Sequence, residues 1–317
     1  MKLFSLFSLL IFGYFIPTSL ASDDISLRTI GAPNTLDYKV YFEKNGTIIS
    51  PFHDVPLFAD KEKSLYNMIV EMPRWTTAKN EINKETPLNP IMQDVSDGKL
   101  RFVHNLFPFK GYIWNYGAFP QTWEDPRYIS PYTNSKGDND PIDVVELGQN
   151  VATVGEIKQV KILGIIGLLD QNETDWKVVV IDHEDPLAEK LNDINDVETY
   201  MPGYLNATNF FLINYKLPGG KKKNEIAFNS TAQPKEFATH IVLETHELWK
   251  ALVNGTTTED EIQTINTSVD GSPYKTTPDN YTIASIPQNN TLPAAPIMKE
   301  NDIWYFIDTL QNRTEEN

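Results

Sequence analysis

The pattern of the chain predicts an α+β domain, mainly β, with a closed or nearly closed small barrel at its centre. Two observations carry this: strand-like runs fill the stretch from Arg28 to about Lys177, and helix-like runs come only after it. Strands first and helices afterwards suit one sheet closed on itself with helices packed outside. No internal repeat recurs at ~20 to 50 residues, which argues against a solenoid or a propeller.

The strand candidates are Tyr38 to Phe42, Asn67 to Met72, Leu100 to Val103, Val144 to Leu147 and Val160 to Leu169, short apolar or alternating runs punctuated by Gly, Pro, Asn and Asp. Pro186 to Ile194 reads as a short helix opened by Asp185. In a second helix Leu205, Thr208, Phe211, Leu212 and Tyr215 share one face. A third runs from Pro234 to Val253, with Phe237, Ile241, Leu248 and Leu252 on its apolar stripe and Asn254-Gly255 as its stop. From Asn254 to Glu300 Thr, Asn, Pro and Asp dominate, so this stretch reads as an extension that wraps the surface or is mobile. The apolar ending Ile303 to Ile307 is expected to dock back.

At 317 residues, 40% of them hydrophobic, the chain can bury one sizeable core. The expected organisation is a leader over 1–21, a main folded domain over 22–253 and a C-terminal extension over 254–317. Met1-Lys2, an apolar run to Ile16 and the small-residue site Ser19-Leu20-Ala21 have the three parts of a secretory signal peptide. A mitochondrial presequence would need several Arg residues, and this stretch has none. Asn-x-Ser/Thr acceptors begin at Asn45, Asn172, Asn206, Asn229, Asn254, Asn266, Asn280, Asn289 and Asn312, which suits a glycoprotein, secreted or vacuolar. Without a single Cys there is no disulfide framework and no thiolate zinc site.

A formal net charge of −16 disfavours nucleic acid as a partner, because phosphate contacts need Lys and Arg in excess. After the leader no apolar run reaches the ~18 residues of a membrane span. The strongest local signal is Asp138-Asn139-Asp140-Pro141-Ile142-Asp143, three carboxylates ahead of a strand that repel one another unless cations bind. A solvated acidic turn is the plainer alternative. An EF-hand loop fails, since counting from Asp138 puts Ile142, Asp143 and Gln149 at positions 5, 6 and 12.

Asp170 and Asp175 flank a hairpin turn, and Asp175 shares a strand face with Lys177. By itself that is ordinary turn polarity. Arg101 alternates with Leu100 and Phe102 and so faces away from them. Tyr112, Trp114, Tyr116 and Trp123 crowd a loop rich in Gly and Pro, and Tyr215-Lys216 ends the second helix. The five His are scattered without zinc-protease spacing, and Gly219-Gly220-Lys221-Lys222-Lys223 lacks the spacing of a phosphate-cradling loop and reads as a solvated turn.

Asp138 to Asp143 resembles the Asp-x-Asp-Pro-x-Asp signature of family I soluble inorganic pyrophosphatases. Glu71 to Trp75, Lys99 to Val103, Gly111 to Pro126, Asp170 to Lys177 and Lys190 to Asp193 are similar to the longer fungal and animal branch. The likeness spans about Arg28 to Val253, with the aromatic ending near Trp304. It implies a five-stranded oligonucleotide/oligosaccharide-binding (OB) type barrel with flanking α-helices, and hydrolysis of pyrophosphate by two or more Mg²⁺ ions per site. Carried over by position, the metal ligands would be Asp138, Asp143 and Asp175, with Asp170 and Glu81 helping to hold a third ion. The water-activating base would be Asp140, and the phosphate contacts Lys79, Arg101, Tyr116, Tyr215 and Lys216. Glu71, Tyr112 and Lys177 match supporting positions. Such an enzyme resolves the paradox of an acidic protein acting on an anion, because the carboxylates load cations first. The branch is dimeric, which implies a homodimer here. Phe109-Lys110 replaces a His pair common near the subunit contact, while Trp75 is kept. The rival readings are a cation- or phosphate-binding glycoprotein without catalysis, and a metal-dependent phosphatase of organic phosphates.

Overall fold

The structure, a computed structural model, describes residues 25–307; the segment read as a signal peptide and the acceptor at Asn312 lie outside them. Five strands close into a ring: β1 (Leu65–Met72), β2 (Asn115–Ala118), β3 (Asp143–Glu146), β4 (Ile157–Asp170) and β5 (Glu173–Asp182). β1 pairs antiparallel with β2 and β4, β2 with β3, and β4 with β5, while β3 runs parallel to β5. No edge is left between these five strands, which is how a small antiparallel sheet avoids exposed hydrogen-bonding groups. Gly117 is required at the β1–β2 crossing, because a Cβ there would lie 1.9 Å from the Ile69 carbonyl oxygen.

The apolar run of β4 is continuous rather than alternating because both of its faces are covered. Ile162 and Ile165 pack with Ala238, Ile241 and Val242 of one helix, whereas Leu163, Ile166 and Leu168 pack with Val197, Phe211 and Leu212 of two others. Those helices are α1 (Ile194–Tyr200), α2 (Tyr204–Asn214) and α3 (Lys235–Val253). The Trp114 indole donates to Thr208 Oγ1 at 2.9 Å and fastens α2 to the ring. Along α3, Ala238, Ile241, Val242, Thr245, Trp249, Leu252 and Val253 are buried, and Gly255 follows its C-cap at φ 77°.

The helix expected from Pro186 to Ile194 is a set of turns, and α1 begins at Ile194 instead. Competition explains the difference. The Lys161 ammonium donates to the carbonyls of Ala188 (2.5 Å) and Leu191 (3.1 Å), and Asp185 spends one oxygen on Gln149 N (2.7 Å) in a distant loop. Asp193 is the N-cap, in a reciprocal box with Asp196.

A second sheet holds Ile25–Gly31, Lys39–Lys44, Thr47–Ile49, Asn80–Ile82 and Ile91–Gln93. It matters to function because the Glu71 carboxylate of β1 accepts from Ile82 N at 2.7 Å, stitching this sheet to the ring. The C-terminal extension lies across both layers. Asn290–Thr291 runs parallel beside Ile30–Gly31, the Asp54 carboxylate accepts from the backbone of Thr267 and Ser268, and Trp304–Tyr305 pairs with Asn105–Leu106. Among the described residues no helix is long and apolar enough to cross a membrane.

Candidate active site

Ring closure brings the C-terminal end of β1, the start of β3 and the β4–β5 hairpin to one mouth. The hairpin turn is the two residues Gln171 and Asn172, both at positive φ (51° and 72°), the geometry that matches strand twist. It sets Asp170 opposite Glu173 and Asp175 opposite Leu168. In parallel register Asp143 stands beside Lys177. The Lys177 ammonium, almost fully buried, makes close ion pairs with both Asp143 and Asp175 and donates to the Tyr116 hydroxyl at 3.0 Å. Burial alone would lower the Lys177 pKa, yet Asp143 and Asp175 more than offset it and hold it well above the ordinary value.

The acidic loop is shaped by its neighbours. Asn139 sits at φ 71°, its side chain accepts from the Trp123 indole at 2.9 Å, and its amide donates to the Glu124 carbonyl at 3.0 Å. A Cβ on Gly137 would fall 2.3 Å from that same carbonyl oxygen, so only glycine lets the two loops meet. This contact delivers Glu124, which sequence reasoning missed. Ligand oxygens of Glu124, Asp138 and Asp175 lie within 4.8 Å of one another. Burial first, then mutual repulsion, raises the pKa of Glu124 and Asp138 well above normal; burial lifts Asp175 to about 7 despite Lys177.

Two carboxylate oxygens here are buried without a hydrogen-bond partner, Glu124 Oε2 and Asp170 Oδ1. An unpartnered buried acceptor is costly. Hard, clustered and under-bonded carboxylates are the donor set that divalent cations such as Mg²⁺ take, so the residues fit a metal.

On the other side of the mouth a small cleft is lined by Glu71, Lys79, Glu81, Tyr116, Asp140 and Asp143, among others. Lys79 faces Glu81 and Asp94 (3.3 Å), Arg101 is exposed and pairs with the same Asp94, and the Lys79 amide donates to the Arg101 carbonyl at 3.1 Å. Asp140 is half-buried, with the Lys84 ammonium 2.7 Å from its Oδ1. Burial, with Asp143 next, pushes Glu71 well up. Tyr112, buried against Tyr116 and Tyr215, is raised to about 12. Lys216 pairs closely with Asp170, and the Tyr215 hydroxyl lies 3.4 Å from the same carboxylate.

All fourteen side chains singled out from sequence therefore reach this one mouth or its rim: Asp138, Asp140, Asp143, Asp170, Asp175, Glu81, Glu71, Lys79, Arg101, Tyr112, Tyr116, Lys177, Tyr215 and Lys216. Sequence reasoning passed over Glu124, Asp94 and Lys84. Glu124 sits in Trp123-Glu124-Asp125-Pro126, and Asp94 and Lys84 lie in polar stretches without motif spacing, so none carried a local signal.

Acids and ammonium groups gathered at one end of a five-stranded ring define an OB-type enzyme that meets an anion through cations. The family described as Inorganic pyrophosphatase matches residues 68–250. The chain is 55% identical over 286 residues to the inorganic pyrophosphatase of Candida albicans, covering 89% of this chain and 97% of that one. Among solved structures, inorganic pyrophosphatase from Schistosoma japonicum superposes with a TM-score of 0.81 at 47% identity, covering 89% of this chain and 99% of that one. The N-terminally truncated vacuolar soluble pyrophosphatase of Trypanosoma cruzi, in complex with PPi, gives 0.67 at 36%, covering 79% and 98%. The chain belongs to the inorganic pyrophosphatase family, and its enzyme class is inorganic diphosphatase.

Proposed function

We propose that this protein hydrolyses inorganic pyrophosphate to two phosphates with Mg²⁺, in the secretory pathway, either secreted or vacuolar, as a homodimer. The observation that carries the chemistry is the carboxylate cluster of Glu124, Asp138 and Asp175, with one Glu124 oxygen unpartnered, at a mouth that also holds the ammonium groups of Lys79 and Lys216. Asp138, Asp143, Asp175 and the newly found Glu124 would hold cations, with Asp170 and Glu81 at the edge of the set. Bound there, divalent cations supply charge neutralisation and make water more acidic. Asp140 accepts the proton of the attacking water at its carboxylate, and Lys84 keeps that carboxylate oriented. Lys79, Arg101, Tyr116, Tyr215 and Lys216 donate to phosphate oxygens, so that positioning and electrostatics do most of the work. Each ammonium already faces a carboxylate, which holds it at the mouth before an anion enters.

Phosphate release from pyrophosphate, with and without Mg²⁺, tests the reading. Turnover that ignores Mg²⁺, or a preference for nucleotides or sugar phosphates over pyrophosphate, refutes it.

Support for the location comes from the basic-apolar-small pattern of the leader and from the acceptors. Every described acceptor Asn is exposed except Asn266, which is fully buried. A mobility shift on enzymatic deglycosylation of the native protein, together with cell fractionation, checks this; an unglycosylated cytosolic product would end it. Support for the dimer is an exposed aromatic patch, where Phe107 lies 6.2 Å from Trp304 and 5.3 Å from Phe306, with Trp75 also exposed. Light scattering on the wild type and Trp304→Glu is expected to show a dimer and a monomer; a monomeric wild type sinks the idea.

A further inference from the structure

The loop between Lys216 and Glu225 is tied to the mouth at both ends. At its start the Lys216 side chain pairs with Asp170, and Lys221 N approaches the Lys216 carbonyl at 3.4 Å. At its end Glu225–Ile226 pairs antiparallel with Leu168–Leu169, the residues just before Asp170. Between these anchors stand Lys221, Lys222 and Lys223, all exposed. Among the described residues no carboxylate forms an ion pair with any of the three. The nearby acids are mostly spoken for: Asp170 faces Lys216, and Glu173 pairs with Lys136 at 3.1 Å. Glu225 is the one acid within the anchored end of the loop.

Such a run is unexpected in a chain of net charge −16, whose far field repels every anion. Three ammonium groups on a loop anchored at the mouth by both ends create a local field of the opposite sign, effective within about one Debye length, roughly 8–10 Å. Flexible Lys side chains act there as point charges that follow a chain of phosphates without demanding one geometry.

We propose that Lys221–Lys223 form an outer anion subsite at the mouth, one that takes the distal phosphates of linear inorganic oligophosphates and gathers such anions from solution. The inference rests on the pyrophosphatase reading for what lies within the mouth. A two-phosphate substrate spans the inner site alone; a three-phosphate chain also reaches the lysines, so the subsite discriminates by chain length.

The test compares the wild type, the triple variant Lys221→Gln/Lys222→Gln/Lys223→Gln, and a control triple variant, Lys61→Gln/Lys63→Gln/Lys275→Gln, that removes the same charge elsewhere. Tripolyphosphate competes with pyrophosphate hydrolysis at fixed free Mg²⁺. In the loop variant its apparent inhibition constant is expected to rise about tenfold, with kcat on pyrophosphate unchanged and KM up no more than about threefold. High salt should erase the difference. An unchanged inhibition constant, or an equal rise in the control, overturns the subsite. If the wild type fails to hydrolyse pyrophosphate, the inner-site reading is what has failed. Calorimetric titration of both folded proteins with tripolyphosphate then judges the loop alone: weaker binding by the loop variant upholds it, and equal binding overturns it.

Discussion

Strand β3 carries an acid at each end, and the two surroundings differ in a way that separates structure from function. Glu146, fully buried, accepts from the Asn115 side chain at 2.7 Å, from Asp182 N at 3.1 Å and from Gly148 N, while Arg74 covers the neighbouring carbonyls of Glu146 and Gly148. At the other end Asp143 shares Lys177 with Asp175, and Glu124 and Asp138 stand close to Asp175. Glu124 receives one hydrogen bond, from Trp176 N at 3.0 Å, and its second oxygen receives none. A buried acid that serves the fold is fully hydrogen-bonded; acids left clustered and under-bonded mark where cations belong.

Breaking the under-bonded end should have the largest effect. Asp143→Asn is expected to lower turnover by roughly 10³-fold, the several kcal/mol that a positioned metal supplies, and to weaken Mg²⁺ binding as well. Steady-state kinetics with Mg²⁺ titration checks both, and near-normal values would remove Asp143 from the site. Asp140→Asn should cost turnover about 10²-fold with Mg²⁺ affinity kept, the mark of a proton acceptor rather than a ligand. Equal loss of affinity would make Asp140 a ligand.

Glu124→Gln sharpens the contrast. It should weaken Mg²⁺ by about 10- to 100-fold while leaving the melting temperature in chelator unchanged or higher, because it relieves repulsion with Asp138 and Asp175. A lower melting temperature with unchanged affinity would class Glu124 with Glu146. Glu146→Gln is expected to do the reverse, setting an amide donor against Asn115 at a cost of about 1–3 kcal/mol with Mg²⁺ affinity intact. Denaturant unfolding reads this directly.

The smallest effect is one of pH in chelator. Asp138, Glu124 and Asp175 have raised folded pKa values, so the protonated forms favour the fold. Their contribution is fully present below the unfolded carboxylate pKa of about 4 and is lost as pH rises through the Asp175 value of about 7. The melting temperature should therefore fall by several degrees between about pH 5 and pH 7.5, and Mg²⁺ should restore it at the higher pH. A flat or rising profile without metal contradicts the crowding of these acids.

Asp138 to Asp143, the Asp170–Asp175 hairpin and the third helix were legible in the text because each is local: period, turn chemistry and spacing reside in a few consecutive residues. The resemblance to a family named the rest of the site by position. What the text lacked was any sign of Glu124, Asp94 and Lys84, whose partners reach them only in three dimensions: Asp94 meets Lys79 beside the Asn80–Ile82 and Ile91–Gln93 strand pair, Lys84 reaches the acidic loop at Asn139 and Asp140, and the close meeting of Gly137 with the Glu124 loop delivers Glu124. Tertiary competition also moved a boundary, since the Lys161 ammonium claims the Ala188 carbonyl, which a helix from Pro186 would have used. The sequence alone determined which segments could be strands, helices and acidic turns; the fold decided which acids would lie within reach of one another. Backbone preference acts over a few residues, whereas Coulomb repulsion and shared cations act across whatever the strand pairing brings together.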